Sequence, residues 1–190
     1  MGHDSLAGSR PEIDMYPQTV PGSIFYTRIR NDALGGPNPF EWKELSTEDI
    51  FKGNRIVLFA VPGAFTPACS ESHLPGYEQL HDELIDAGAD RIVCLAVNDA
   101  FVMHQWALSR EIRKVFMLPD GNGDFTRKMG MLVKRSTTGM GMRSWRYSMF
   151  VDDRKIMKLF AEDGFADEPP GVPVQSSGAD NMLAYLRSLR

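Results

Sequence analysis

The sequence predicts an α/β domain in which buried strands alternate with helices before the chain turns to an antiparallel hairpin. Three observations carry that expectation. Residues 55–61 (RIVLFAV) and 91–97 (RIVCLAV) are continuous apolar runs with the length and β-branched content of fully buried strands. A helix-start signal follows each run at once, Thr66-Pro67 after the first and Asn98-Asp99 after the second. Near the C-terminus, residues 145–151 and 155–161 are strand-like and separated by a short turn at Asp152-Asp153, as in a β-hairpin.

Residues 1–19 are read as a flexible N-terminal segment and residues 20–190 as one domain, with residues 12–50 as an extension packed on the core and a strand expected at 23–29. The first buried strand stops at Pro62-Gly63. The next helix should run to about Ala87, bend at Pro75 and end at Gly88, because proline breaks the hydrogen-bond ladder and glycine closes a helix cheaply. Asn98-Asp99 then caps a helix carrying Phe101, Val102, Trp106 and Leu108. Residues 114–118 read as an extra strand, 119–123 as a turn and 124–131 as a short helix. The glycines at 139 and 141 mark a flexible loop, and residues 162–176, rich in proline, glycine and acids, a surface loop. The last helix, residues 179–189, places Met182, Leu183, Leu186 and Leu189 on one face. With 114–131 set aside as an insertion, the order is β-α-β-α-β-β-α. The expected class is therefore α/β, a thioredoxin-like fold with an N-terminal extension and an inserted strand-helix segment.

At 190 residues the chain can bury roughly 70% of its unfolded surface in a single core. Its 43% hydrophobic and 24% charged residues are ordinary for a globular domain. A net charge of −4 gives no reason to expect nucleic acid or an anionic membrane as partner. No apolar run nears the ~20 residues that span a bilayer. Residues 1–11 lack the apolar core of a secretory signal, so a cytoplasmic location is expected.

Two cysteines, Cys69 and Cys94, are too few for a disulfide scaffold. With Thr66 as N-cap, Cys69 falls in the first helical turn beside unpaired amides, a position that lowers a thiol pKa. Ionisation alone cannot make a fast enzyme. A thiol of pKa ~8.5 is about 3% thiolate at neutral pH, so full ionisation gains roughly 30-fold. The accompanying loss of nucleophilicity takes back about 10-fold or more. Donors that stabilise charge on a departing oxygen must supply the rest. The Thr66 hydroxyl, the free amides and one cation are the candidates, with Arg146, Arg143 and Arg127 all nearby in sequence. Cys94, inside an apolar strand, reads as core packing.

Residues 61–77, VPGAFTPACSESHLPGY, resemble the active-site segment of peroxiredoxins of the type II, or peroxiredoxin-five, subfamily. The general signature Pro-x-x-x-Thr-x-x-Cys is met by Pro62, Thr66 and Cys69, and VND at 97–99 and RYSM at 146–149 extend the likeness over residues 20–190. The resemblance implies a cofactor-free thiol peroxidase with Cys69 as peroxidatic cysteine. It implies that Thr66 and Arg146 hold the peroxide and polarise its O–O bond, and that Pro62 shields the sulfur. It further implies a hydroperoxide substrate, a homodimer, and glutathione with glutaredoxin, or thioredoxin, as reductant. Some animal members carry a resolving cysteine near the C-terminus; this chain has none after Cys94, which suggests the one-Cys kind.

Other chemistries fit less well. His73 stands four residues after Cys69, as in a Cys-His hydrolase pair, but Pro75 distorts the helix and no nucleophile elbow is present; a structural role for His73 is favoured. A zinc set from Cys69, His73, His81 and Cys94 fails on spacing. Asp120 to Asp124 begins like a calcium loop but lacks its turn glycine and closing glutamate. A non-enzymatic redox sensor sharing the same first oxidation step is the alternative function.

Overall fold

The computed structural model describes residues 16–190. The expected flexible segment thus lies outside the described residues except for its last four, of which Gln18 and Thr19 pair with the domain. Thr19 bridges Lys155, and Ile156 donates its amide to the Gln18 carbonyl at 2.9 Å, so the boundary expected at residue 20 falls within a paired stretch.

Five strands form the central sheet in the order β5-β4-β3-β8-β9: β3 (Arg55–Ala60), β4 (Arg91–Ala96), β5 (Phe116–Pro119), β8 (Tyr147–Asp152) and β9 (Lys155–Ala161). Strands β3, β4 and β5 run parallel, β8 adds antiparallel to β3, and β9 adds antiparallel to β8. The α/β thioredoxin-like order is therefore present. Alternation along β3 divides the core in two. Ile56, Leu58 and Ala60 face one apolar cluster, and Val57 and Phe59 face the other.

Helices α2 (Leu74–Gln79), α3 (His81–Asp86), α4 (Ala100–Ser109) and α6 (Ala179–Ser188) bring Leu74, Tyr77, Leu84, Met103, Trp106 and Leu183 into the second cluster. The first is covered by elements the sequence showed poorly. Strands β1 (Ile24–Arg30) and β2 (Phe40–Ser46) form a two-stranded ribbon, and α1 (Thr47–Phe51) is closed by a Ser46–Asp49 capping box. Helix α5 (Asp124–Lys128) adds Phe125, whose ring stacks on Phe51 with centroids 6.2 Å apart. Instead of the expected loop, β6 (Leu132–Arg135) and β7 (Gly141–Ser144) form a hairpin.

Four further expectations are corrected. The β8–β9 turn is centred on Asp153 and Arg154, both at positive φ, one residue later than read. Asp153 accepts from the Gly53 amide at 2.8 Å and Arg154 from within the turn reaches Glu48 at 2.8 Å, which holds this conformation without glycine. On α4 the buried face is Ala100, Met103 and Trp106, three residues apart, while Phe101 and Leu108 point outward. Leu189 lies past the end of α6 and is exposed. The stretch 162–176 is not merely a surface loop, since Glu162 and Val172 are buried against the site described next.

Candidate active site

After β3 the Val61 amide donates to the Leu95 carbonyl of β4, and the chain turns through the buried Pro62. Ala64 donates to the Asn98 side-chain oxygen at 3.0 Å, which ties this turn to the end of β4. Gly63 is closely approached: an added Cβ would meet Met140 and Thr66 at 3.5 Å and Arg143 at 3.8 Å. Thr66 occupies the expected N-cap place by its backbone, its carbonyl accepting from the Ser70 amide at 3.0 Å. Its side chain departs from expectation. The hydroxyl donates to the Gly63 carbonyl at 2.8 Å rather than accepting from a helical amide, so its lone pairs face outward for another donor.

Cys69 opens a π-turn, Cys69–His73, that runs into α2. Pro75 explains it. Lacking an N–H and clashing with the carbonyl four residues back, it forces the preceding turn to widen rather than simply bending the helix. The continuous helix expected to Ala87 is interrupted again at Leu80, between α2 and α3.

The turn points Cys69 and His73 at one guanidinium. Arg146, only 3% exposed, sits between β7 and β8 and is held on three sides. Its Nε donates to the Val172 carbonyl at 2.9 Å, Nη1 to His73 Nδ1 at 3.1 Å, and Nη2 reaches Cys69 Sγ at 3.5 Å. Because arginine can only donate, His73 Nδ1 must be an acceptor, which puts the ring proton on Nε2, where it donates to the Ser177 carbonyl at 3.1 Å. Burial, reinforced by the Arg146 charge, pushes the His73 pKa down to about 3. His73 is thus neutral near pH 7. Its one ring lone pair is committed to Arg146, so it cannot take the Cys69 proton as a hydrolase pair requires.

Behind the histidine, the loop is clamped by Glu162. Its carboxylate accepts from the amides of Gln175, Ser176 and Ser177 at 2.8–3.0 Å and from the Ser177 hydroxyl at 2.6 Å. Burial pushes this carboxyl up, but the Ser177 and loop-amide hydrogen bonds outweigh it and hold the pKa below the ordinary glutamate value. Glu162 in turn donates its own amide to the Arg146 carbonyl at 3.1 Å. Tyr77 also donates to the Ser177 carbonyl, at 2.9 Å, and Trp106 donates to Ser70 at the same distance.

The three arginines between which residue type alone did not choose, Arg146 being favoured only by the resemblance, are distinguished by their contacts. Arg127 pairs at the surface with Asp124 at 2.8 Å. Arg143 donates to the Val97 and Met140 carbonyls, both at 2.8 Å, and so fastens the β6–β7 hairpin to the turn around Gly63. Only Arg146 meets the sulfur. Cys94, in register between Phe59 and Met117, lies wholly inside the sheet, where burial and then the neighbouring Cys69 raise its thiol pKa well above the ordinary value. The calcium-like Asp120 caps α5, accepting from Thr126 at 2.7 and 2.8 Å. Sequence reasoning missed the partners of His73 and the Glu162 clamp. A histidine one π-turn beyond the cysteine was visible, but its contacts lie 73 and 104 residues away.

The Redoxin family profile matches residues 41–182. A peroxiredoxin of Synechocystis sp. is 57% identical over 173 residues, covering 91% of this chain and 92% of that protein. The crystal structure of a Plasmodium falciparum antioxidant protein, a 1-Cys peroxiredoxin, superposes with a TM-score of 0.83 at 32% identity, over 90% of this chain and 98% of that one. Reduced Prx3 of Vibrio vulnificus in complex with hydrogen peroxide gives 0.75 at 36% identity, covering 90% and 94%.

Proposed function

The chain belongs to the peroxiredoxin family of thiol-dependent peroxidases, and on that premise we propose that Cys69 is the nucleophile, with Arg146, Thr66 and Pro62 completing its site. The single observation that carries this reading is the Arg146 guanidinium, fixed on Val172 and His73 and aimed at Sγ with its remaining edge. A buried cation so placed stabilises the oxyanion that departs in the reaction. Being immobilised already, it needs no reorganisation during reaction.

The Cys69 thiolate attacks the hydroperoxide oxygen that bears hydrogen. The new S–O bond forms as the O–O bond breaks, and its electron pair leaves on the second oxygen as hydroxide or alkoxide. Protonation from solvent gives water or alcohol, and sulfur is left as the sulfenic acid. Thr66, its own proton committed to Gly63, accepts from the peroxide O–H and so presents the correct oxygen to sulfur. Arg146 donates to the oxygen on which charge develops. Pro62, buried in the turn before the helix, keeps water from the sulfur.

An external thiol completes the cycle in this reading. One glutathione condenses with the sulfenic acid to a mixed disulfide, releasing water. A second thiol, most efficiently that of glutaredoxin, displaces the Cys69 thiolate. The placement of Cys94 within a strand supports an external resolver, because it cannot leave its ladder without breaking β4 from its neighbours. A homodimer in the cytoplasm belongs to the same reading, and no helix among the described residues is long and apolar enough to cross a membrane. The test is a coupled assay with glutathione, glutaredoxin and tert-butyl hydroperoxide. Many turnovers per Cys69 are expected; consumption of one equivalent followed by arrest would identify a redox sensor instead.

A further inference from the structure

Arg135, the last residue of β6, has two guanidinium nitrogens without a partner among the described residues. They are Nε and Nη2, and both are buried. These two nitrogens form one edge of the guanidinium, the edge that matches both oxygens of a carboxylate. Leaving such donors desolvated and unpaired is costly, so the edge is prepared for a ligand rather than for the fold.

Hairpin register shows where the edge faces. Val133 lies opposite Arg143, and Arg135 opposite Gly141. Opposed residues in an antiparallel pair share a face, as do residues two apart, so Val133, Arg135 and Arg143 lie on the same side. That side is inward, since Val133 is in the core and Arg143 reaches the Val97 carbonyl beside Gly63. Glycine opposite Arg135 leaves the space above the hairpin unfilled. The nearby carboxylates are already used: Glu168 accepts from the amides of Ser136 and Thr137 and the Thr137 hydroxyl at 2.6–3.0 Å, and Asp167 from the Lys134 amide at 2.7 Å. That side also adjoins the turn leading to Cys69: a Cβ at Gly63, whose carbonyl accepts from Thr66, would meet Met140 at 3.5 Å and Arg143 at 3.8 Å. Burial pulls the Arg135 pKa below the ordinary arginine value, the Arg146 charge adds to this, and Cys69 and Glu168 oppose it.

We propose that the Nε/Nη2 edge of Arg135 docks a carboxylate carried by the molecule that reacts at Cys69. The inference rests on the proposed function of Cys69 and names the class of molecule the site prefers. Two sources share that chemistry: a hydroperoxide bearing a carboxylate, such as a fatty-acid hydroperoxide, and the tripeptide thiol glutathione.

The experiment has one arm for each source and uses the full chain. Cys69 oxidation is timed by rapid-quench mass spectrometry with linoleic acid hydroperoxide and with its methyl ester. The consumption of the preformed sulfenic acid is timed with glutathione and with its dimethyl ester. Wild type should favour the free acid by about 10- to 100-fold in at least one arm, the range of a hydrogen-bonded charge pair. Arg135→Met should bring that ratio near one, and Arg135→Lys, which keeps charge but loses the paired edge, should fall between. The arm in which the ratio moves identifies the source. Wild-type ratios near one in both arms overturn the inference without any variant, and so does a preference that survives in Arg135→Met, which would belong to the general field of Arg146 and Arg143. Hydrogen peroxide turnover by wild type separates the two levels of failure. If turnover is present and the ratios are flat, only the docking site is wrong; if turnover is absent, the Cys69 reading fails and this inference with it.

Discussion

Cys69 and Cys94 belong to the same apolar cluster, and both are fully buried, at 0% exposure. Burial therefore does not distinguish them. Cys94 is flanked by strands on both sides, has no charged donor on its sulfur, and its thiol pKa is raised by the apolar surroundings. Cys69 stands at the opening of a helix on a widened turn, with a guanidinium at 3.5 Å that is itself fixed by a backbone carbonyl and a neutral imidazole. A cysteine is set apart here by a preorganised cation and by position at an element's end, where a small substrate can be met without unpairing a sheet.

The sharpest way to break that contrast is to remove each sulfur in turn. Cys69→Ser should abolish peroxide turnover, and Cys94→Ser should leave most of it, as read in the coupled assay. Equal losses would show that both cysteines belong to one redox pair. Arg146→Ala should follow in size, with a loss on the order of 10²–10³ in the rate of Cys69 oxidation, the range for one preorganised charge-stabilising donor. Its pH–rate profile separates two roles. A rate that stays low when the thiol is fully ionised at high pH means that Arg146 acts on the departing oxygen; full recovery there would reduce it to a device for ionising sulfur.

A smaller effect is expected one step further back, at His73. His73→Phe deletes the acceptor for Arg146 Nη1, and oxidation should slow by about 10-fold, the size of one hydrogen bond to a charged group. The histidine also leaves a signature in stability. Its pKa is depressed from an ordinary 6.5 to about 3, so the unfolded chain binds its proton more readily than the folded one. The stability this confers is fully present above the ordinary value and is lost progressively as pH falls towards 3. Between pH 7 and pH 5 the loss from His73 should be about 2 kcal/mol. Denaturant midpoints of wild type and His73→Phe at the two pH values measure it, and identical pH slopes would contradict the neutral buried imidazole.

Much of the fold was legible because its central elements are continuous apolar runs: β3 and β4 declare themselves in RIVLFAV and RIVCLAV. Elements that depend on distant partners did not. Strand β2 mixes charged and apolar residues without a strict period and gains its shape from register with β1, and Gly139 and Gly141, read as loop flexibility, are the positive-φ corners of the β6–β7 hairpin. The site followed the same division. Cys69, Thr66 and Pro62 share one short local motif, so the resemblance could bring them forward together. By residue type Arg146 was one of three arginines and only the resemblance favoured it; contacts across 77 residues are what separate it from Arg127 and Arg143. The outward lone pairs of Thr66, the His73 tautomer and the empty edge of Arg135 are matters of hydrogen-bond direction, which residue types do not encode.

The central claim, that Cys69 reacts alone while Cys94 stays within its sheet, is tested most directly by intact-mass spectrometry. The reduced protein is given one equivalent of hydrogen peroxide without added thiol and then treated with dimedone. A single dimedone adduct is expected, mapped to Cys69 and absent from Cys69→Ser. A loss of two hydrogens with no adduct would mean a disulfide between Cys69 and Cys94, and would contradict that claim.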